Sequence, residues 1–324
     1  MSAIVALGLT LSVAGLGLAT ALRAPAREAQ AMANHPPQGQ FVTVDGHQVH
    51  VVERGQPQGS APDLVLIHGS NGSSRDMTFR LSPALEDAYH ILIFDRPGLG
   101  YSDALTEKGT SIQTQAAVLQ KASASLGVDR PIVLGQSYGG AVALAWATQF
   151  PQHTAAVVNV SGVSHPWDAE LPTFYKLTSS RLGGALIVPV LTAFVPNSYV
   201  RSSLEEVFAP QAVPEGFAEY FGLAMSLRRS SLRANAKQRA NLLKEIEAIA
   251  PLYPQLEMPI EIVHGTADTT VGISIHAERL VQDSSTARLT PLPGVGHMPH
   301  QTHTQSIVDA VNRAAARANL RQSL

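Results

Sequence analysis

The stretch VLGQSYGGAVALAW, Val133–Trp146, begins as a short apolar run and ends in small and apolar residues, with one serine and three glycines at the junction. It reads as a buried strand that turns sharply into a helix. Gly135-Gln136-Ser137-Tyr138-Gly139 is G-x-S-x-G in the strand–turn–helix context that lifts a serine hydroxyl above the end of a sheet. The flanking glycines let strand and helix approach closely, and Gly140, Ala141 and Ala143 extend that contact. Five such residues on their own would read as a glycine-rich turn. The strand before them and the helix after them make Ser137 a candidate nucleophile.

Working outward, that strand extends back to Arg130, and four more segments have its form. DLVLIHG (63–69), YHILIFDRPG (89–98), RPIVLGQS (130–137), AAVVNVSG (155–162) and PIEIVHG (259–265) are short continuous apolar runs, as expected of strands covered on both faces. Helical patterns lie between most of them, at 111–126, 139–150, 274–281 and about 305–320. This alternation implies an α/β fold, a mostly parallel sheet with helices on both faces. FVTVDGHQVHVVERG alternates around Asp45-Gly46, the pattern of a hairpin with a tight turn. The interval 164–258 contains no strong strand and reads as a helical insertion, placed like a lid. Its apolar run at 184–195 is too short to span a bilayer. The plain reading is a buried helix; the sharper ones are a wall for a hydrophobic substrate or a lid that touches a membrane.

A serine hydroxyl needs a base, and the base needs an orienting acid. On this architecture the order along the chain is serine, acid, histidine, at the strand ends where open sheets carry their sites. Asp268 lies three residues past the Gly265 that ends an apolar strand. It also has the position of a helix cap before Val271. His297 sits in the loop PGVGHMPH after the final strand. Asp168 is a rival acid at the start of the insertion, and Asp268 is preferred. His297, His300 and His303 are spaced by three, but Pro299 and the glycines argue against a shared helical face, so no metal site is expected. His300 is expected to be a structural neighbour. For the oxyanion, the amide after the nucleophile, Tyr138, is one donor, and Ser70 in HGSNGSS (68–74) is the second, with Asn71 as the fallback.

The chain has 324 residues and a formal charge of −2; no basic block suggests a nucleic-acid partner, and no acidic tail suggests a solvating segment. It has no cysteine, which excludes disulfides, thiolate metal sites and a cysteine nucleophile. Residues 3–22 carry no charge and would reach about 30 Å as a helix, the thickness of a bilayer core. Arg23 and Arg27 follow. Residues 1–22 are expected to be a retained membrane anchor, with the arginines on the cytoplasmic side. A secretory signal is the alternative, cleaved at Ala19-Thr20-Ala21 or Ala31-Met32-Ala33, although no basic n-region precedes it; an ordinary buried helix is the third reading. Residues 23–40, with Pro36-Pro37, read as a linker. The folded core is expected at 41–163 and 259–324, and the lid at 164–258.

With HGSNGSS, DRPGLGYSD (95–103), GQSYGG and the pair HGTAD and GVGHMPH in this order, the sequence resembles the α/β-hydrolase superfamily. It looks most like lid-bearing bacterial serine hydrolases with an N-terminal membrane segment. The resemblance covers about 41–320. It implies an eight-stranded α/β-hydrolase sheet, no cofactor, and anchoring in the bacterial inner membrane, with a secreted or periplasmic protein as the alternative. It also implies that Asp95, Arg96 and Gly98 are scaffold. Relatives that open epoxides or remove halides use aspartate at the elbow, so Ser137 points to acyl transfer to water. The expected reaction is hydrolysis of a small or medium apolar carboxylic ester. C–C bond hydrolysis or peracid formation on the same residues is an alternative, and a non-catalytic ligand-binding module is another. Many relatives carry proline or an aromatic residue after the His-Gly pair, where this chain has Ser70-Asn71-Gly72.

Overall fold

The expected hairpin forms. β1 (Gln40–Val44) and β2 (His47–Gly55) pair antiparallel with Val44 opposite His47. Asp45 and Gly46 both take positive φ, 49° and 82°, as a two-residue turn matched to strand twist requires. The remaining strands are β3 (Asp63–Ile67), β4 (His90–Phe94), β5 (Ile132–Gln136), β6 (Ala156–Val160), β7 (Ile260–Gly265) and β8 (Ala287–Leu292). They form one sheet in the order β1-β2-β4-β3-β5-β6-β7-β8. β2 and β4 are antiparallel, and every pairing from β4 to β8 is parallel. The structure is a computed structural model that describes residues 3–106 and 110–321, with side chains from Leu11 onward.

Helices cover both faces. α1 (Ala3–Asn34), α2 (Ser74–Phe79), α3 (Ile112–Ser125) and α4 (Tyr138–Gln149) precede β6. Between β6 and β7 lie α5 (Thr173–Ser179), α6 (Arg181–Phe194), α7 (Asn197–Phe208), α8 (Phe217–Phe221), α9 (Leu223–Ser226) and α10 (Arg229–Ile249). α11 (Ala277–Asp283), α12 (Pro299–Thr302) and α13 (Thr304–Arg317) complete the chain. The period-two geometry of a strand divides β3 between two cores. Val65 and Ile67 join Leu119, Ala143 and Trp146 on the α3–α4 face. Leu64 and Leu66 join Ile307 and Val311 of α13 on the other. α11 starts three residues later than its sequence pattern, and the short α2 and α12 had no signal in the periodicity.

The segment 23–40 is not an extended linker: α1 continues through it to Asn34, with Pro25 inside the helix. Ala24 and Ala31 are buried, and Glu28 forms a two-pronged pair with Arg229 at the start of α10. Tertiary packing gives these residues the helical state that a polar, alanine-rich composition left open. The anchor expected at 1–22 falls in part outside the described residues, since nothing is described of the side chains before Leu11. Among the described residues no single helix is long and apolar enough to cross a membrane; the pair α5–α6, bent by 106°, meets the measure only jointly.

The helices between β6 and β7 do not all stand apart from the core. Leu242, Ile246 and Ile249 of α10, with Tyr253, belong to the larger buried cluster. Glu245 on the same helix accepts a hydrogen bond from the Ile112 amide at the start of α3.

Candidate active site

Ser137 sits between the last residue of β5 and the first of α4 with φ 53° and ψ −117°, a conformation that costs a non-glycine residue energy. The neighbouring glycines are required by contact. A Cβ at Gly135 would lie 2.0 Å from the Gly139 carbonyl oxygen, and one at Gly139 would lie 2.2 Å from that of Ile67. The turn holds the Ser137 hydroxyl 2.9 Å from Nε2 of His297. On the far side of the ring, Nδ1 of His297 is 2.7 Å from Oδ2 of Asp268. The acid contact assigns the proton to Nδ1 and leaves Nε2 free to accept from the hydroxyl. The three residues come from the ends of β5, β7 and β8, with Ser137 more than a hundred residues before the other two, and all are buried.

Asp268 stands where the acid was expected, but it caps no helix, since the next one, α11, begins at Ala277 and Asp268 closes a turn instead. Its Oδ1 accepts from the Thr270 and Val271 amides while Oδ2 faces His297. Burial alone would raise this carboxyl's pKa. Hydrogen bonds from His264 and His297, the imidazole charge and the Val271 amide outweigh that and hold it well below the usual carboxylate range. His264, on β7, was missed by sequence reasoning. Its Nε2 donates to the Val271 carbonyl at 2.8 Å and lies 3.3 Å from Oδ2 of Asp268. It is visible in HGTAD only as part of a strand end.

The loop 68–74 lies beside the nucleophile: a Cβ at Gly69 would stand 3.1 Å from that of Ser137. Buried Arg96 fixes it by donating to the carbonyls of His68 and Gly69. In a trans peptide the amide that follows each pinned carbonyl points the opposite way, away from Arg96. Burial, reinforced by Arg96, lowers the His68 pKa to about 4, so the ring is neutral. It donates through Nδ1 to the Gly69 carbonyl and accepts the Arg96 amide at Nε2. The amides of Ser70 and Tyr138 have no protein acceptor among the described hydrogen bonds. The fallback donor, Asn71, is engaged elsewhere: its amide donates to Oδ1 of Asn235 on α10 at 3.0 Å, and its φ is 55°. Sequence reasoning did not find Asn235, which lies 164 positions away on a helix with no motif. Nor did it assign a role to Gln136, the residue before the nucleophile, which donates to the His297 carbonyl at 3.2 Å.

The other candidates fall away from the centre. Asp168 is exposed. His300 pairs with Asp76 at 3.0 Å, as expected of a structural neighbour, and His303 contacts Thr302. Among the described residues no group of three histidine or carboxylate side chains could hold a metal ion. Asp95 accepts from Ser74 and Tyr101 amides and pairs with His50 at 2.7 Å, so it organises the turn and does not face Ser137. Next to His297, Met298 packs with Phe208 and Phe217, an apolar wall built from the segment between β6 and β7.

A hydroxyl, an imidazole and a carboxylate joined in this order can pass a proton from the hydroxyl as its oxygen bonds to carbon. The comparisons agree with the architecture. The family model for the alpha/beta hydrolase fold matches residues 62–304. The chain is 24% identical over 269 residues to 2-hydroxy-6-oxononadienedioate/2-hydroxy-6-oxononatrienedioate hydrolase of Klebsiella pneumoniae, covering 79% of this chain and 87% of that one. It is 35% identical over 124 residues to the dihydrolipoyllysine-residue acetyltransferase component of the acetoin cleaving system of Cupriavidus necator. That match spans 38% of this chain and only 32% of the relative's length. Among solved structures, Cfl2 of Burkholderia cenocepacia superposes with a TM-score of 0.70 at 22% identity, covering 87% of this chain and 95% of that one; at this identity the likeness speaks for the fold. With most of its length matched by the family model, the chain belongs to the α/β-hydrolase fold family.

Proposed function

We propose that the protein is a serine hydrolase that cleaves a carboxylic ester through an acyl-enzyme on Ser137. The observation that carries this reading is the continuous contact from Ser137 Oγ to His297 Nε2 and from His297 Nδ1 to Asp268 Oδ2. Ser137 Oγ attacks the ester carbonyl, and its proton passes to His297. His297 then protonates the departing alcohol. A water, activated by the same imidazole, releases the acid and restores the serine. Asp268 keeps the ring in the required tautomer and offsets the charge it gains. The amides of Ser70 and Tyr138 receive the oxyanion, held in place by Arg96 and by the elbow. The apolar wall of Phe208, Phe217 and Met298 favours an apolar acyl or alkyl group.

A fluorophosphonate probe tests the assignment. It should label the unaltered protein and fail to label Ser137→Ala; equal labelling of both would defeat the reading. A panel of p-nitrophenyl esters of rising acyl length would then define the preferred chain. C–C bond hydrolysis by the same residues is the second reading, favoured by the name of the Klebsiella relative. It predicts cleavage of a vinylogous diketone by the labelled enzyme with little turnover of esters. The localisation proposed is a membrane, held by the uncharged N-terminal segment. Membrane fractionation of the full chain and of a chain beginning at Arg23 tests this, and equal partitioning would count against it.

A further inference from the structure

Large apolar side chains are not scattered over this surface. Of the sixteen that are exposed among the described residues, eleven lie on α1, α5 and α6. These helices are neighbours: α1 runs along α6, α5 packs on α6, and the Arg23 guanidinium stands 5.1 Å over the Phe194 ring. α6 carries no charged residue after Arg181. One of its faces is tightly packed, with Val188 and Thr192 buried and the Thr192 hydroxyl donating to the Leu227 carbonyl. The opposite face would be polar on an ordinary surface helix. Here it presents Leu182 and Leu186, one turn apart and 75% and 68% exposed. Phe174 and Leu177 repeat the pattern on α5, each 47% exposed. α1 is the same in kind: no charge occurs before Arg23, and Leu11 and Leu22 are 64% and 66% exposed.

Contiguous apolar surface of this extent calls for a partner. We propose that the face made by α1, α5 and α6 lies on a lipid bilayer, and that the ester cleaved at Ser137 is an acyl lipid drawn from that bilayer. The second half of the proposal rests on the serine hydrolase reading. Three features favour lipid over a second copy of the chain. No charged side chain occurs in α1 from Ala3 to Leu22, a length of uncharged helix that a water-facing dimer seam would not need. Arg23, Arg27 and Arg181 border the apolar stretches of α1 and α6, where cationic side chains meet anionic headgroups. The bend of 106° between α5 and α6 suits helices that lie in the interface and not a straight crossing. The face is also joined to the site. The segment that displays Leu182 and Leu186 outward continues into Phe208 and Phe217, which pack on Met298, the residue after His297, and into Asn235, which accepts from the Asn71 amide in the loop of Ser70.

The experiment uses the full chain on vesicles of phosphatidylethanolamine and phosphatidylglycerol. In a Leu186→Trp variant, tryptophan emission should shift to shorter wavelength on adding vesicles and be quenched by lipids brominated in the acyl chain. In a Leu182→Glu/Leu186→Glu variant, release of fatty acid from the vesicles should fall about tenfold or more, since two charges replace apolar side chains at the interface. Labelling of Ser137 by a water-soluble fluorophosphonate should stay at the unaltered rate, which reports that the site is intact. Absence of quenching at position 186, or unchanged lipid hydrolysis in the glutamate variant, overturns the docking. Cross-linked dimers in detergent that disappear with Leu186→Glu, together with no quenching, would assign the face to a second copy. Absence of fluorophosphonate labelling in the unaltered chain would instead defeat the hydrolase reading, and quenching at 186 would still decide the docking.

Discussion

Two buried imidazole–carboxylate pairs stand three residues apart on one stretch of chain. His297 meets Asp268 at 2.7 Å and His300 meets Asp76 at 3.0 Å. Burial pushes both carboxyls up, and in both the neighbouring groups more than offset it, so both pKa values lie below their ordinary range. The pairs differ in what the second ring nitrogen touches. Nε2 of His297 faces the Ser137 hydroxyl. Nδ1 of His300 is buried without a partner among the described atoms. The His300 pair joins α12 to α2, aided by Gln301, whose amide donates to Asp76. An imidazole held by a carboxylate is thus a common structural brace. In the proposed reaction it becomes a proton acceptor where a strained turn delivers a hydroxyl to its other side.

The largest effects should separate these pairs by kind. Ser137→Ala or His297→Ala should lower kcat for an ester by about 10⁶, the loss seen when one member of such a unit is removed. Folding should be retained, as read by a thermal melt. Asp268→Asn should cost about 10⁴ by favouring the wrong tautomer, with KM nearly unchanged. Asp76→Ala should do the reverse. Removing one partner of a buried pair costs roughly 3–5 kcal/mol of stability, visible as a lower denaturation midpoint, while kcat in the surviving folded protein changes little. A loss of 10⁴ or more in kcat for Asp76→Ala, without loss of stability, would erase the distinction between the two pairs.

A smaller effect is expected at Asn235, where α10 reaches the loop of Ser70. Asn235→Leu keeps the volume and removes the acceptor of the Asn71 amide. Loosening one of the proposed oxyanion donors, short of deleting it, should lower kcat by about tenfold, below the roughly 10²–10³ for outright removal of a donor. KM should move less than kcat. An unchanged kcat would mean that Arg96 alone orders the loop.

Glu245 is a partly buried carboxylate without an imidazole partner, and its pH response should be opposite in sign to that of Asp268. Burial raises its pKa to about 7, despite the Ile112 amide. A carboxyl whose folded pKa lies above its unfolded value binds more protons when folded, so its contribution to stability falls as pH rises from about 4.5 to about 7. Asp268 and Asp76, held low, lose their contribution only as pH falls below the ordinary carboxylate range. Glu245→Gln should therefore match the unaltered protein near pH 4.5 and exceed it above pH 7. A gain of about 2–4 °C in Tm is the shift of about 1 kcal/mol in a domain of this size. Equal melting of the two proteins at pH 8 would remove Glu245 from the comparison.

Strands β3 to β7 were legible because each is a short apolar run closed by a turn residue, as burial on both faces requires, and β1 and β2 because they alternate around a tight turn, whereas β8 is partly exposed and forms no such run. The elbow was legible because a serine between glycines at a strand–helix junction leaves few alternatives. The helix from Arg23 to Asn34 was not legible. Its alanines and charges fit a linker equally well, and only burial of Ala24 and Ala31 and the Glu28–Arg229 pair make it a helix. The short α2 and α12 carried too few residues for a period to show.

By itself, then, the sequence determined the alternation of strand and helix, the turn that strains Ser137, and the order of serine, acid and histidine. These are local properties, written in neighbouring residues through sterics and hydrophobic period. Only the tertiary structure decided that His297 and not His300 faces the hydroxyl, that Asn235 occupies the Asn71 amide, that His264 supports the acid, and that α1 and α6 share an apolar face. Each of these depends on distances between segments far apart in the chain, fixed when the two cores pack and not before.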